Sequence, residues 1–429
     1  MLQPIRDGRP VQAEPENTAD VPAGALAGLR VLDLTDDELQ YCGKLLAQMG
    51  ADVCLVEPIG GCRTRRNGPF IDDRADLEQS LTFAYFNQGK KGVCVDLGSI
   101  DGRAMLHKLA SQADVILHSF LPTEAKSLGI VRDALKDANP AVVVTAITGF
   151  GNDGPCADWQ YNDLTCMAMG GLLYLGGYPD TGPIGAPGGQ AYLAAAQFAA
   201  VATLAAVLQA ETSGLGREID VSVQECVAMA LENAVQFYDL EEVVRKRNGG
   251  EQRQAGTGVF PCRDGLVYLM AGGIASNRFW ATTTEWLIES GAPGAGVLRG
   301  PEWNDQNYLQ TDEAKKKFAA IFLPFAASRT KAELYEGAQS RRIPISPVST
   351  TRDLLENRQL AHRQFFVEAF HPQSGKTIQS PGAPYRLSAS PWRLGRPAPR
   401  LGEHTFDVLQ EFEVSPTVQE VLCRAGACV

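Results

Sequence analysis

From Leu29 onward, short β-branched apolar runs alternate with amphipathic stretches. LRVLDL, DVCLVEP, GVCVDL, DVILHSF and AVVVTAITGF are near-continuous in hydrophobic character, and ELQYCGKLLAQMG and DGRAMLHKLASQA, which lie between them, repeat apolar positions at helical spacing. Apolar strands separated by helices of that length predict a Rossmann-like α/β domain, a parallel sheet buried on both faces. The stretch Gly188 to Val207, GGQAYLAAAQFAAVATLAAV, predicts a long helix. Its length would suit a membrane span, but Gln190, Gln197 and Gln209 interrupt it and alanine has little preference for lipid. A buried helix of a soluble protein is therefore expected, with small side chains that let neighbouring backbones come close.

After Leu215 the pattern changes. VQECVAMALENAVQFYDLEEVV predicts a helix, and Arg263-Asp264-Gly265 supplies turn chemistry between two strand-like runs. Helix-like FWATTTEWLIESG, TDEAKKKFAAIFLPFAA and TKAELYEGAQSRR follow. We expect a smaller α+β domain over 225–340 and a large domain over 25–220 that the chain rejoins at about Ile345, giving 345–429. This last part contains a Thr-capped helix, TTRDLLENRQLAHR, and a second hairpin, RQFFVEAFHPQSGKTI. Residues 1–24 are polar and proline-rich and read as a mobile leader, without the apolar core of a secretory signal. A length of 429 residues agrees with two domains.

Composition narrows the function classes. A net charge of −11 argues against a nucleic-acid partner, which needs dense Lys/Arg surfaces. With no export signal, the ten cysteines, none in a CxxC pair, read as reduced thiols of a cytoplasmic protein. The five histidines lack ligand spacing, so no metal is expected. No membrane partner is expected either. A Rossmann-like sheet invites a dinucleotide, but the first strand runs into TDDELQYCG where a G-x-G-x-x-G turn would be needed. Asp36, Asp37 and Glu38 would meet the diphosphate, so neither NAD nor FAD is expected.

Five blocks in order then identify a likeness. LRVLDLTDDELQYCGKLLAQMGADVCLVEP, NQGKKGVCVDLGSIDGRAMLHKLASQADVI, GFGNDGP, SGLGREIDVSVQE and PRLGEHTFDVLQEF together resemble the class III CoA-transferases, the CaiB/BaiF family, from Leu26 to Phe412. The resemblance implies an interlocked dimer, two chains threaded like linked rings, with the active site between the large domain of one and the small domain of the other. It also implies an aspartate nucleophile just before the alanine-rich helix, where the dipole and free amides favour an anion. That carboxylate attacks an acyl-CoA thioester, passes through a mixed anhydride and an enzyme-bound CoA thioester, and finally loads the acceptor acid. CoA thioester is then substrate, and no cofactor is implied.

Counting back from Ser213-Gly214, which match the family's Thr-Gly, puts the nucleophile's position at Ala191 or Tyr192, and no acid lies between Asp180 and Glu211. No catalytic residue is therefore assigned. The family's AGP after the first strand is replaced near Leu39-Gln40-Tyr41, Pro58 and Ile59 stand where a cation often follows the second strand's Glu, and Ser119-Phe120-Leu121-Pro122-Thr123 lacks the usual Arg. Asn87-Gln88 replaces Asn-Arg before Lys90 and Lys91. What the resemblance leaves is a vestigial CoA cleft of Asn87, Lys90, Lys91, Asp96, Ser119 and Phe120 that binds CoA poorly. Gly256 and Gly258 match part of a loop that covers the active site across the subunit boundary, or are plain turn punctuation.

The remaining polar candidates carry milder readings. Asp163 is a cap or hydrogen-bond anchor, Glu225 an ordinary helix position, His118 a structural residue more than an acid–base group, and Cys42 and Cys166 buried thiols. The function expected is that of a catalytically silent subunit of a heteromeric class III CoA-transferase, partnered by a related chain that carries the Asp. A self-sufficient homodimeric transferase or racemase using another acid such as Asp163, and a non-enzymatic scaffold of the same fold, are the alternatives.

Overall fold

A computed structural model describes residues 24–272 and 277–429. The leader, save Gly24, lies outside the described residues. Six strands form one sheet: β1 (Arg30–Leu34), β2 (Asp52–Glu57), β3 (Lys91–Cys94), β4 (Val115–His118), β5 (Val143–Thr148) and β6 (Glu218–Ser222). Their order is β3-β2-β1-β4-β5-β6, and every pair is parallel. The predicted strands are thus present. Consecutive residues serve opposite faces. Val31, Val53, Val115 and Leu117 pack with alanines 191, 195, 196 and 199 on one side, while Leu32, Val93 and Ile116 pack with Leu106, Leu109, Val408 and Leu409 on the other.

The alanine-rich run is a helix, Gln190–Ser213, bounded by left-handed Gly189 and Gly214. It lies against β5 and β6 and the Tyr41–Gln48 helix. A Thr145–Thr203 side-chain hydrogen bond of 2.8 Å fits within the buried seam because the flanking residues are small. By length and composition this helix could cross a membrane, yet half of its most apolar window is buried inside the protein. The predicted helix after β6 is broken, running as Val223–Ala228 and Glu232–Glu241 with a tight turn between them.

A second core gathers around β7 (Thr257–Cys262), β8 (Gly265–Met270) and β9 (Ile345–Val348), an antiparallel sheet backed by helices such as Asp312–Ala327 and Lys331–Arg341. Cys262 faces Gly265 across the hairpin, so the turn falls at Arg263-Asp264 as the sequence predicts. One boundary moves. Ile345–Val348, expected to open the return to the large domain, pairs with β8 because an edge strand there satisfies backbone groups that would otherwise be left unpaired. The chain leaves this core after Val348. The Thr350 cap is in place, but the helix expected over TTRDLLENRQLAHR is broken into Thr351–Leu355 and Arg358–His362, because Asn357 caps a new helix. The chain then forms the hairpin of β10 (Phe366–His371) and β11 (Lys376–Pro381) and comes back to β3, where the His404 amide donates to the Gly92 carbonyl at 2.9 Å.

Candidate functional site

Strand order reverses between β1 and β4, and the loops leaving their C-terminal ends diverge there, which is where open α/β sheets place a ligand crevice. A cavity of about 630 Å³ occupies that position, within the range of small-molecule sites. Its walls include Asp36 after β1, Arg63 after β2, Asp96 after β3, and Ser119 and Phe120 after β4, with Tyr161 beyond them.

The loop after β1 is held by Asp36. Its carboxylate accepts from the Arg63 amide (3.1 Å) and Nε (3.1 Å), from the Thr64 amide (3.2 Å) and from Thr64 Oγ1 (3.0 Å). The Asp36 amide in turn donates to Ser119 Oγ at 3.0 Å, so Ser119 ties the two sides of the switch point together. The Arg63 guanidinium lies 3.2 Å from Asp37. Burial first, then Asp36, raises the Asp37 carboxyl, and Arg63 and Asn67 oppose this. Burial also raises Glu38, with Asp37, Asp163 and Asp36 adding to it. On the facing wall Arg103 spends Nη1 on the carbonyls of Leu97 (3.1 Å) and Gly98 (2.9 Å).

The opening of the alanine-rich helix adjoins this acidic loop. The Ala191 and Tyr192 amides donate to Asp163 Oδ1 at 2.8 and 3.1 Å. Asp163 therefore anchors a helix, but not its own, whose cap is Asn162 in a capping box with Thr165. Gly189 presses on Glu38: a Cβ at that position would lie 2.9 Å from Glu38 Cγ. Two carboxylates, Glu38 and Asp163, thus approach the helix start from distant parts of the chain. Ala191 and Tyr192 are 1% and 4% exposed, and the Tyr192 ring stands edge-on to Tyr161. The two positions reached by counting are apolar core, not cavity wall.

The residues expected to line a vestigial cleft divide into two groups. Asp96, Ser119 and Phe120 border the cavity. Asn87 and Lys90 do not; both are fully buried. Lys90 Nζ donates to Asp33 Oδ2 (2.7 Å), to the Gln40 carbonyl (2.8 Å) and to Asn87 Oδ1 (2.9 Å), while Asn87 Nδ2 donates to Gln40 Oε1 at 2.6 Å. This closed network consumes the positive charge inside the fold, each of the three ammonium protons meeting an acceptor that offsets part of its desolvation. Lys91 is partly buried and bound between Asp52 (3.0 Å) and Glu411 (2.6 Å). Among the described residues, Arg63 and Arg103 are the cations that border the cavity, and the sequence pattern did not single them out. The RTRR run starting at Arg63 was the available signal, lying a few residues beyond the position where a cation was sought after Glu57.

His118, at the end of β4, is buried with neither ring nitrogen partnered among the described residues, stacks on Phe120, and is held neutral by burial that lowers its pKa to about 4. Such a group is a packing residue. Glu225 is exposed in the first turn of its helix. Burial pushes the Cys42 and Cys166 thiols up. Gly256, with φ of +77°, would bring a Cβ within 3.1 Å of Trp280, and Gly258 lies within β7 against Gln252. Both fit the close packing of the second core.

The model of CoA-transferase family III matches residues 26–405. The succinyl-CoA:(R)-benzylsuccinate CoA-transferase subunit BbsE of Thauera aromatica is 39% identical over 93% of this chain and 97% of its own. The succinyl-CoA–L-malate CoA-transferase β subunit of Chloroflexus aurantiacus is 28% identical over 90% and 93%. Among solved structures, a CaiB/BaiF family protein from Brucella suis superposes with a TM-score of 0.79 over 91% of this chain and all of that one, at 23% identity, which speaks to the fold.

Proposed function

From the premise that the chain belongs to CoA-transferase family III, we propose that it is a cytoplasmic, catalytically silent subunit of a heteromeric acyl-CoA:carboxylate CoA-transferase. A related subunit carries the nucleophilic aspartate. The donor and acceptor we assign are succinyl-CoA and (R)-benzylsuccinate, on the strength of the similarity to the BbsE subunit. The observation that carries the reading is the helix opening. No acid occurs from residue 181 to 210, and the first amides that would stabilise a reacting anion are already filled by Asp163. At the cavity the cations are also committed, Arg63 to Asp36 and Asp37 and Arg103 to backbone carbonyls. Phosphates of CoA would have to displace those partners.

Heteromeric assembly has support of two kinds. Both curated relatives above are named as subunits. Val201, Leu208, Val235, Tyr238 and Leu240 also turn large apolar side chains outward on the Gln190–Ser213 and Glu232–Glu241 helices, as surfaces that bind another chain do. In the interlocked arrangement, the segment around Gly256 and Gly258 would close over the partner's site.

The test is transfer of CoA from succinyl-CoA to benzylsuccinate by this chain alone, and then with the related chain co-expressed. We expect activity only with both. A second reading, a self-sufficient enzyme, is favoured by one feature: Glu38 and Asp163 bring carboxylates to the helix start that linear counting does not find. Denaturing mass spectrometry of the isolated chain after incubation with labelled succinyl-CoA separates the two. A CoA thioester or acyl adduct on a peptide holding Glu38 or Asp163 would overturn the silent-subunit reading.

A further inference from the structure

The C-terminal helix Pro416–Arg424 carries Cys423 in its last turn. After Ala425 the chain reverses through Gly426, whose φ of +71° is open to glycine at little cost. The reversal is fastened by Gly426 N donating to the Cys423 carbonyl (3.0 Å) and Ala427 N to the Leu422 carbonyl (2.9 Å), the pattern of a glycine-terminated helix. It returns Cys428 onto the helix it has just left. The two sulfurs lie 3.2 Å apart. Cys428 is buried beside Val95 in the core under the sheet, whereas Cys423 is partly exposed. The same tail is an extra edge on the β3 side of the sheet: Val95 bridges Cys428, and the Asp96 amide donates to the Ala427 carbonyl at 2.9 Å. Asp96, Leu97 and Gly98 form one wall of the cavity.

We propose that Cys423 and Cys428 form a reversible disulfide that clips the C-terminal tail to the β3 edge and thereby fixes the Asp96–Gly98 wall of the cavity. This goes beyond the transferase reading and does not depend on it. The oxidant is a small-molecule disulfide. The partly exposed Cys423 thiolate attacks it, forming a mixed disulfide and releasing one small thiolate. The Cys428 thiolate then attacks Cys423 Sγ and releases the second. The two protein thiols are oxidised, the small disulfide is reduced to two thiols, and the two protons pass from the cysteines to the released thiolates. Burial, and then Cys423, push the Cys428 thiol up to about 12, which leaves the first attack to Cys423. The 3.2 Å contact is what gives Cys428 the second step, since it does not have to capture a partner from solution.

The full-length protein is incubated with oxidised glutathione, quenched with acid and denatured for thiol counting and peptide mapping. The count is expected to fall from ten thiols to eight, with a linkage between Cys423 and Cys428 that dithiothreitol reverses. Cys428→Ser should stop at a stable glutathione adduct on Cys423, and Cys423→Ser should form neither adduct nor linkage at the tail. Amide exchange at Asp96 in the oxidised protein should slow by about tenfold or more relative to the reduced protein. Ten thiols remaining under conditions that oxidise a control dithiol peptide, or linkage of Cys428 to nearby Cys94 instead, would overturn the proposal. Linkage without any change in exchange at Asp96 would overturn the coupling to the cavity wall.

Discussion

Lys90 illustrates how a charge is spent inside a fold. It lies at 0% exposure against Asp33, also at 0%, so removing the amine leaves a buried carboxylate unpaired. Lys90→Ala is expected to cost about 3–5 kcal/mol in urea unfolding, far more than the loss of a solvent-exposed ion pair, at about 0–1 kcal/mol. Lys44 is the opposite case. Its buried ammonium has no hydrogen-bond partner among the described residues, lies 3.2 Å from the Tyr85 ring centroid, and has its pKa lowered to about 7 by burial first and Lys90 second. The unfolded chain holds this proton up to about pH 10.5 and the folded one releases it near 7, so the penalty is greatest at or below neutrality and fades as pH rises towards 10.5. Lys44→Met should stabilise the protein by about 2 kcal/mol at pH 7, after loss of the cation–π contact is counted, and by little above pH 10. Glu38 has a raised carboxyl. Its favourable contribution is complete below its unfolded value of 4.5 and is lost as pH rises through the folded one. Glu38→Gln should therefore raise Tm relative to the parent at pH 7 and not at pH 4.

At the scale of elements, the alanine-rich helix depends on small side chains and on a borrowed acceptor. Ala199 is fully buried against the sheet, so Ala199→Leu should overpack the seam and cost about 1–3 kcal/mol by chemical denaturation. Asp163→Ala removes the carboxylate that holds the Ala191 and Tyr192 amides and should cost about 1 kcal/mol. The hairpin turn at Arg263-Asp264 was legible because turn chemistry is local, as was the Thr350 cap. The break between Ala228 and Glu232 and the pairing of Ile345–Val348 with β8 were not. Neither has a local marker, and the second depends on which edge is free once the rest of the core has formed.

At the scale of the whole molecule, the crossover between β1 and β4 brings residues separated by more than a hundred positions to one crevice. Binding of CoA to the isolated chain, followed by calorimetry, is expected to be weak, with Kd above about 100 μM, since Arg63 and Arg103 already have partners. Co-expression with the related catalytic chain should recover a stable complex on gel filtration.

Hydrophobic periodicity determined the parallel sheet and the long alanine-rich helix, turn residues added the first hairpin, and the family came separately, from the resemblance of five ordered blocks. These are properties of short windows, in which side-chain period and turn residues are read directly from the chain. Tertiary structure decided which polar groups face the cavity. Lys90 and Asn87 close on Asp33 and Gln40 in the interior, Arg63 and Arg103 take the rim, and Glu38 and Asp163 meet the start of a helix to which neither belongs. A charged side chain settles where its desolvation is offset by partners, and those partners are set by strand order and helix crossing, not by neighbours in the chain.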